Sequence, residues 1–308
     1  MDHQAIESRL RGAPSDLSAW VAYSEHLIAQ GDPRGPIIRL SLQRGHAPAS
    51  SERFVRLSAE LDRLYAEGTP QISCLVREAK IDWKYGFVVG VELPCTTAAI
   101  AGLSALLESP DAVLLRSLRF TPAREQSEED EEEEWSEEGA DVDAIPEPTL
   151  VAEASALSGL DLRNLRMLAM PYCLIGAEGV SKLLSSSQLG PLLALDLRYC
   201  YIGDVGAAAI ASTPQLAGLR SLWLPRCGIT GKGIEALAKS PHLRQLRLLD
   251  LRYNKIGSRG AKAIASSPIA AELLVLQVFR SEIKKAGADA LAQSPHLPLA
   301  VRRMWRGQ

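Results

Sequence analysis

Apolar positions in the second half of the chain return every 27 residues. Leu165, Leu192, Leu219, Leu246 and Leu273 form one column, and Leu168, Leu195, Leu222, Leu249 and Leu276 a second. Met170, Leu197, Leu224, Leu251 and Val278 make a third. Ile175, Ile202, Ile229, Ile256 and Ile283 keep the same spacing, as do Gly179, Gly206, Gly233, Gly260 and Gly287. Blocks in phase at this many positions are a repeat. Each reads Leu-x-x-Leu-x-Leu-x-x-Cys/Asn, then an Ile-Gly step, then an Ala-rich segment. The Leu-x-Leu alternation predicts a short strand. The small and apolar residues that follow at helical spacing (Val205, Ala208, Ala209 and Ser212 in one block) predict a helix. Thr213-Pro214, Ser240-Pro241, Ser267-Pro268 and Ser294-Pro295 end it, because proline disfavours helical geometry at the residue before it and brings no backbone donor.

One strand and one helix cannot bury their apolar faces alone. Stacked blocks can, with a parallel sheet on one side, helices on the other and leucines between. Helices are wider than the strand spacing of about 4.8 Å, so such a stack curves with its strands inside. Leu115-Arg-Ser-Leu118-Arg-Phe120 fits the same strand pattern and follows a helix-like stretch from Thr97 to Leu107. Phe87 to Leu93 is a further strand candidate, and Leu299 to Gln308 reads as a C-terminal cap. Towards the N-terminus, Leu17, Trp20, Val21, Ser24, Leu27 and Ile28 share helical spacing, with Asp16 or Ser15 as cap. Pro36 to Leu42 begins a second helix, and Phe54, Leu57, Leu61 and Leu64 mark a third.

The repeat resembles the leucine-rich-repeat family in its ribonuclease-inhibitor-like branch, without a gap over 165–291. The resemblance implies an α/β leucine-rich-repeat solenoid, curved parallel sheet inside and helices outside, behind an N-terminal helical module. The run from Trp20 to Gln43, through Gly31-Asp-Pro-Arg-Gly35, is similar to the bacterial repeat-companion domain that often precedes such repeats. So is Trp83-Lys-Tyr-Gly-Phe87. The expected division is a helical module over 1–68, and a cap with a first irregular repeat over 69–124. An acidic insert over 125–148 follows, then the array with its cap over 149–308.

Charge sharpens this division. The net charge of −3 hides segregation: residues 125–147 hold 13 acidic and no basic side chains, whereas 148–308 hold 20 basic and 10 acidic. Self-repulsion predicts that the acidic run is disordered when free. Either it solubilises the chain, or it folds back over the basic repeats and competes with an acidic partner. No apolar run reaches the roughly 18–20 residues that span a bilayer. The start of the chain does not read as a secretory signal. Five cysteines, an odd number without a CxxC pair, fit a reduced, cytoplasmic protein.

Catalytic chemistry is not evident. Cys173, Cys200 and Cys227 recur at the period, but Asn254 and Ser281 complete their column. That is the asparagine/cysteine ladder position, which hydrogen-bonds the turn after each strand. His242 and His296 occupy equivalent Pro-His-Leu turns. No nucleophile, zinc or phosphate-loop motif appears, so neither enzyme activity, nor cofactor, nor small-molecule substrate is expected. The positions between the leucines form columns across the sheet: Ala169, Asp196, Trp223, Asp250, Gln277; then Pro171, Arg198, Pro225, Arg252, Phe279; then Tyr172, Tyr199, Arg226, Tyr253, Arg280. A leucine core does not require Trp, Tyr, Phe and Arg there, and these types dominate interface hot spots. The expected partner-binding residues are therefore Tyr172, Asp196, Arg198, Tyr199, Trp223, Arg226, Asp250, Arg252, Tyr253, Phe279 and Arg280. The bland alternative is a solvated face with Asp196–Arg198 and Asp250–Arg252 pairs. The expected partner is a protein. The alternatives are regulation of an enzyme such as a small GTPase, whose activating proteins are similar long-repeat arrays with an acidic tract, and nucleic-acid binding by the basic half.

Overall fold

The computed structural model describes residues 2–68, 74–122 and 150–306. The acidic insert lies outside them. The chain divides into two compact units, Met1–Val91 with Ala101–Ser117, and Glu92–Ile100 with Leu118–Gln308. Among the described residues, eight strands follow one another in chain order in a single sheet.

The first unit begins with α1 (His3–Gly12), which the sequence reading missed. Asp2 accepts from the Gln4 N–H at its start, and Ile6 and Leu10 are its buried face. Helix α2 (Leu17–Ala29) is capped by Asp16, and it is followed by α3 (Arg34–Gly45) and α4 (Glu52–Gly68). The buried face of α2 is Ala19, Trp20, Tyr23, Ser24 and Leu27, whereas Leu17, Val21 and Ile28 are exposed. The expected face was therefore rotated: Tyr23 belongs to it, because its ring packs on Phe87 at 5.5 Å and its hydroxyl donates to Glu7. The Gly-Asp-Pro-Arg-Gly segment gains a physical reading. Gly31 turns the chain at φ 74, and Gly35 lets α3 pass so close that a Cβ would lie 2.7 Å from the Ile28 nitrogen. Between them Asp32 holds Arg34 by side-chain and backbone bonds of 2.9 Å, and Arg34 reaches Asp111 at 3.0 Å. Strand β1 (Lys80–Lys84) leads through Tyr85 and Gly86, both at positive φ, into β2 (Phe87–Pro94). That is the two-residue turn suited to a hairpin.

After α5 (Thr97–Leu107), β3 (Ser117–Thr121) and α6 (Val151–Ser158), the second unit repeats one plan. Strands β4 (Met167–Ala169), β5 (Ala194–Asp196), β6 (Ser221–Trp223), β7 (Leu248–Asp250) and β8 (Val275–Gln277) pair in parallel, each residue opposite its counterpart 27 positions on. Helices α7 (Gly176–Ser185), α8 (Gly203–Ser212), α9 (Gly231–Ala238), α10 (Gly257–Ala265) and α11 (Arg280–Ala292) alternate with them, and α12 (Leu299–Arg303) closes the described chain. The leucine columns and the isoleucines are buried throughout. The Ile-Gly step has a backbone reason at Gly203 and Gly257, where φ is near +60 and only glycine enters the helix without a Cβ penalty.

The helix face differs from the one read along the sequence. In α8, Val205 is 67% exposed and Ala208 and Ser212 face solvent, whereas Gly206, Ala207, Ile210 and Ala211 are buried. Gly206 decides it: its missing Cβ lets α7 approach, since a methyl there would lie 3.0 Å from the Val180 side chain. A second tie joins successive repeats. The hydroxyls of Ser240 and Ser294, from the Ser-Pro steps, donate at 2.5 Å to Ala211 and Ala265 near the helix end one repeat earlier. Ser267 does the same to Ala238. These serines are buried, so each otherwise unpaired carbonyl at a helix end gains a donor.

Candidate functional site

The Cys/Asn column is built first, because it sets the backbone of the columns beside it. Cys200 donates from Sγ to Met170 O at 2.9 Å, and Cys227 to Leu197 O at 3.0 Å. Asn254 donates from Nδ2 to Leu224 O at 2.7 Å, and accepts from the N–H groups of Cys227 (3.1 Å) and Ile229 (2.9 Å). These three members thus bond the turn of the preceding repeat, as the ladder position implies, whereas Cys173 bonds Pro171 O of its own repeat at 3.7 Å. Burial pushes the Cys227 thiol up to about 12 and raises Cys200 well above its ordinary value. A buried, protonated thiol is neither a nucleophile nor a metal ligand. Among the described residues no group of three or more His, Cys, Asp or Glu side chains is placed to hold a metal ion.

One residue before Cys173, Cys200, Cys227 and Asn254, the backbone enters the left-handed region: φ is 61 at Tyr172, Tyr199 and Tyr253, and 48 at Arg226. Glycine or asparagine would adopt this conformation with little strain, whereas a bulky residue pays about 1–2 kcal/mol. The ladder of strand hydrogen bonds nevertheless runs on through the column, Tyr172 N to Arg198 O at 2.9 Å, Tyr199 N to Pro225 O at 2.9 Å and Arg226 N to Arg252 O at 3.0 Å. These side chains therefore stand in line. Tyr172 stacks on Tyr199 with centroids 4.3 Å apart, and the Arg226 guanidinium lies 5.7 Å from the Tyr199 centroid. Tyr253 meets Phe279 edge-on at 5.0 Å. Tyr172, Tyr253 and Phe279 are exposed; Tyr199 and Arg226 are half-buried. Burial and the neighbouring Tyr172 raise the Tyr199 hydroxyl above its ordinary range against the opposing charge of Arg226, so it is a neutral donor at neutral pH. Arg280, the last of the column, turns to the C-terminal segment: it donates to Met304 O at 3.0 Å and lies 5.8 Å from the Trp305 ring.

The other two columns are less open than their spacing suggests. Trp223 is half-buried between Asp196 and Asp250 on the adjacent strands. Those two aspartates, together with Ala169, Pro171 and Pro225, are buried. For the aspartates the cause is the arginine two residues on. Arg198 folds back on Asp196 (Nε to Oδ1 2.9 Å, Nη2 to Oδ2 2.8 Å), and Arg252 on Asp250 (3.0 and 2.7 Å). The carboxylates hold both guanidinium pKa values above the ordinary arginine range. What solvent meets there is the outer part of Arg198 and Arg252, with the acid beneath. Tyr201 was not foreseen: it lies outside the columns, also at positive φ, and its hydroxyl accepts from Arg226 Nε at 3.3 Å. The Tyr-Cys-Tyr run at 199–201 was the available signal.

No helix among the described residues is long and apolar enough to cross a membrane. None of the curated proteins matches the chain. The family model described as Leucine Rich repeat matches residues 191–211 and 239–265, which hold β5 with nearly all of α8, and β7 with α10. Registered strands one period apart, a buried Cys/Asn ladder and these two matched segments agree: the chain carries leucine-rich repeats.

Proposed function

We propose that the chain binds a protein partner through the stripe formed by Tyr172, Tyr199, Arg226, Tyr253 and Phe279, with Trp223, Arg198, Arg252 and Arg280 at its margins. One observation carries this reading: three tyrosines occupy a left-handed repeat position that glycine or asparagine would fill with less strain, and two of them are exposed. Strain kept at a surface position is a signature of function. Asp196 and Asp250 enter as buried supports that fix Arg198 and Arg252, not as contacts. The role is that of a binding scaffold, not an enzyme.

Three finer readings stand beside it. The 27-residue period supports the ribonuclease-inhibitor-like subtype, and the Gly31–Gly35 turn supports the repeat-companion likeness. A reducing, cytoplasmic compartment fits thiols that act as hydrogen-bond donors in the ladder, a role a disulfide would remove. The acidic tract 125–147 is read as a competitor for acidic partners, on charge segregation alone. Deleting it then raises polyanion affinity with a steep salt dependence.

The test is affinity capture with wild-type chain and with Tyr199→Ala/Tyr253→Ala bait, both checked for folding. A partner held by the first and lost from the second supports the stripe. Identical capture by both rejects it. A captured GTPase, or capture abolished by nuclease, would point to the regulator or nucleic-acid alternative.

A further inference from the structure

The basic surplus of the repeat half does not collect on the tyrosine stripe, where Arg198 and Arg252 are already neutralised. Part of it converges on the helices. A groove of about 830 Å³ runs along α9, α10 and the loops that follow them, lined by Lys239, Arg244, Arg259, Lys262, Glu235 and several serines. That is the size of a small-molecule site. Glu235 spends both carboxylate oxygens on Arg259, at 2.5 and 2.7 Å. One acid therefore stands against four cations, and three positive charges remain without a matching carboxylate in the groove.

The repeat plan does not demand them. One period earlier, Lys239, Arg244 and Lys262 correspond to Ser212, Ala217 and Glu235; one period later, to Ser266, Ala271 and Asp289. Neither set contains a cation, although the strand and helix plan is the same. Cations gathered in a concavity focus the field and raise the local concentration of anions. The helix ends nearby give no opposing preference for a bare carbonyl, since Ser240 and Ser267 already donate to Ala211 and Ala238.

We infer that this groove binds a compact oligophosphate, a small free ligand with several phosphate charges, at a site separate from the tyrosine stripe and independent of its role. The cations gather within one groove of about 830 Å³ instead of along an extended track, which suits a compact ligand over a polymer. The test is isothermal titration of the full chain with inorganic tripolyphosphate at low salt. Saturable binding is expected, weakened by added salt. Lys239→Ala/Arg244→Ala/Lys262→Ala should lose affinity at least about tenfold, the scale of charge-assisted hydrogen bonds. A charge-matched control, Lys232→Ala/Arg303→Ala/Arg306→Ala, removes three exposed cations outside the groove and should lose far less. Circular dichroism checks that both variants fold. Absent wild-type binding, or equal loss in both variants, overturns the site. Groove-dependent binding of a single-stranded oligonucleotide without tripolyphosphate binding overturns the ligand class.

Discussion

The rings of Tyr172 and Tyr199 lie 4.3 Å apart and 19° from parallel, on two residues that both have φ of 61. Stacking of this kind stabilises by about 0.5–1.5 kcal/mol, similar in size to the backbone cost at one such residue. The pair incurs that cost twice, so the stacking offsets only part of it. Its conformation is better explained by what the outward faces do.

Tyr253→Gly separates the two roles. Glycine relieves the left-handed strain and loses one edge-on contact with Phe279, so stability should stay within about 1 kcal/mol of wild type. Binding of the partner should fall sharply. Chemical denaturation measures the first and titration the second; a large loss of stability with unchanged binding would make Tyr253 a structural residue.

Arg252→Ala strands Asp250, which is only 1% exposed, and leaves it its one bond from the residue-252 backbone. Breaking a buried pair from one side is costly. Arg252 is itself partly open to water, so the expected loss is about 2 kcal/mol, below the fully buried range. Arg252→Ala combined with Asp250→Asn should recover part of it in a denaturant melt, and failure to recover would remove the buried charge as the cause.

Asn254→Ala removes the acceptor for two buried N–H groups, Cys227 and Ile229. The predicted cost is about 2–4 kcal/mol. The same ladder fixes thiol reactivity: Cys74 is exposed, and Cys95, Cys173, Cys200 and Cys227 are buried. With folded protein at pH 8, a disulfide reagent should modify Cys74 quickly and the others only as the chain unfolds. Rapid reaction of Cys200 would contradict its upward-shifted thiol.

Acid should weaken the Gly31–Gly35 turn. Burial opposes ionisation of Asp32, yet the hydrogen bonds and charge of Arg34 outweigh it and hold the carboxyl below its usual 3.8. A carboxylate lowered in the folded state contributes stability that is present above its unfolded value and lost as pH falls through the folded one. Asp32→Asn should therefore lower the melting temperature at pH 7 and converge with wild type as the pH falls from the usual 3.8 through the lower folded value. A difference that persists undiminished in acid would mean that shape, not charge, makes Asp32 necessary.

The repeat, its strands and their register were legible because identical blocks can bury their leucines in only one alignment; a shift of one residue would turn every leucine outward. The ladder followed, since three Cys and then Asn occupy one position of the repeat. Side-chain columns could be listed but not their exposure. Spacing gives the direction of a Cβ, whereas the burial of Asp196 and Asp250 depends on arginines that fold back two residues later. The inward face of α8 was hidden because alanine, glycine and serine carry almost no polarity contrast, and the packing of Gly206 against Val180 decides it. Left-handed tyrosines were also invisible, since local preference would place glycine there. The serine ties and the cationic groove join residues of neighbouring repeats. Only the stacking of neighbouring blocks brings such residues within reach, so these are properties of the assembled array, while the period belongs to the chain.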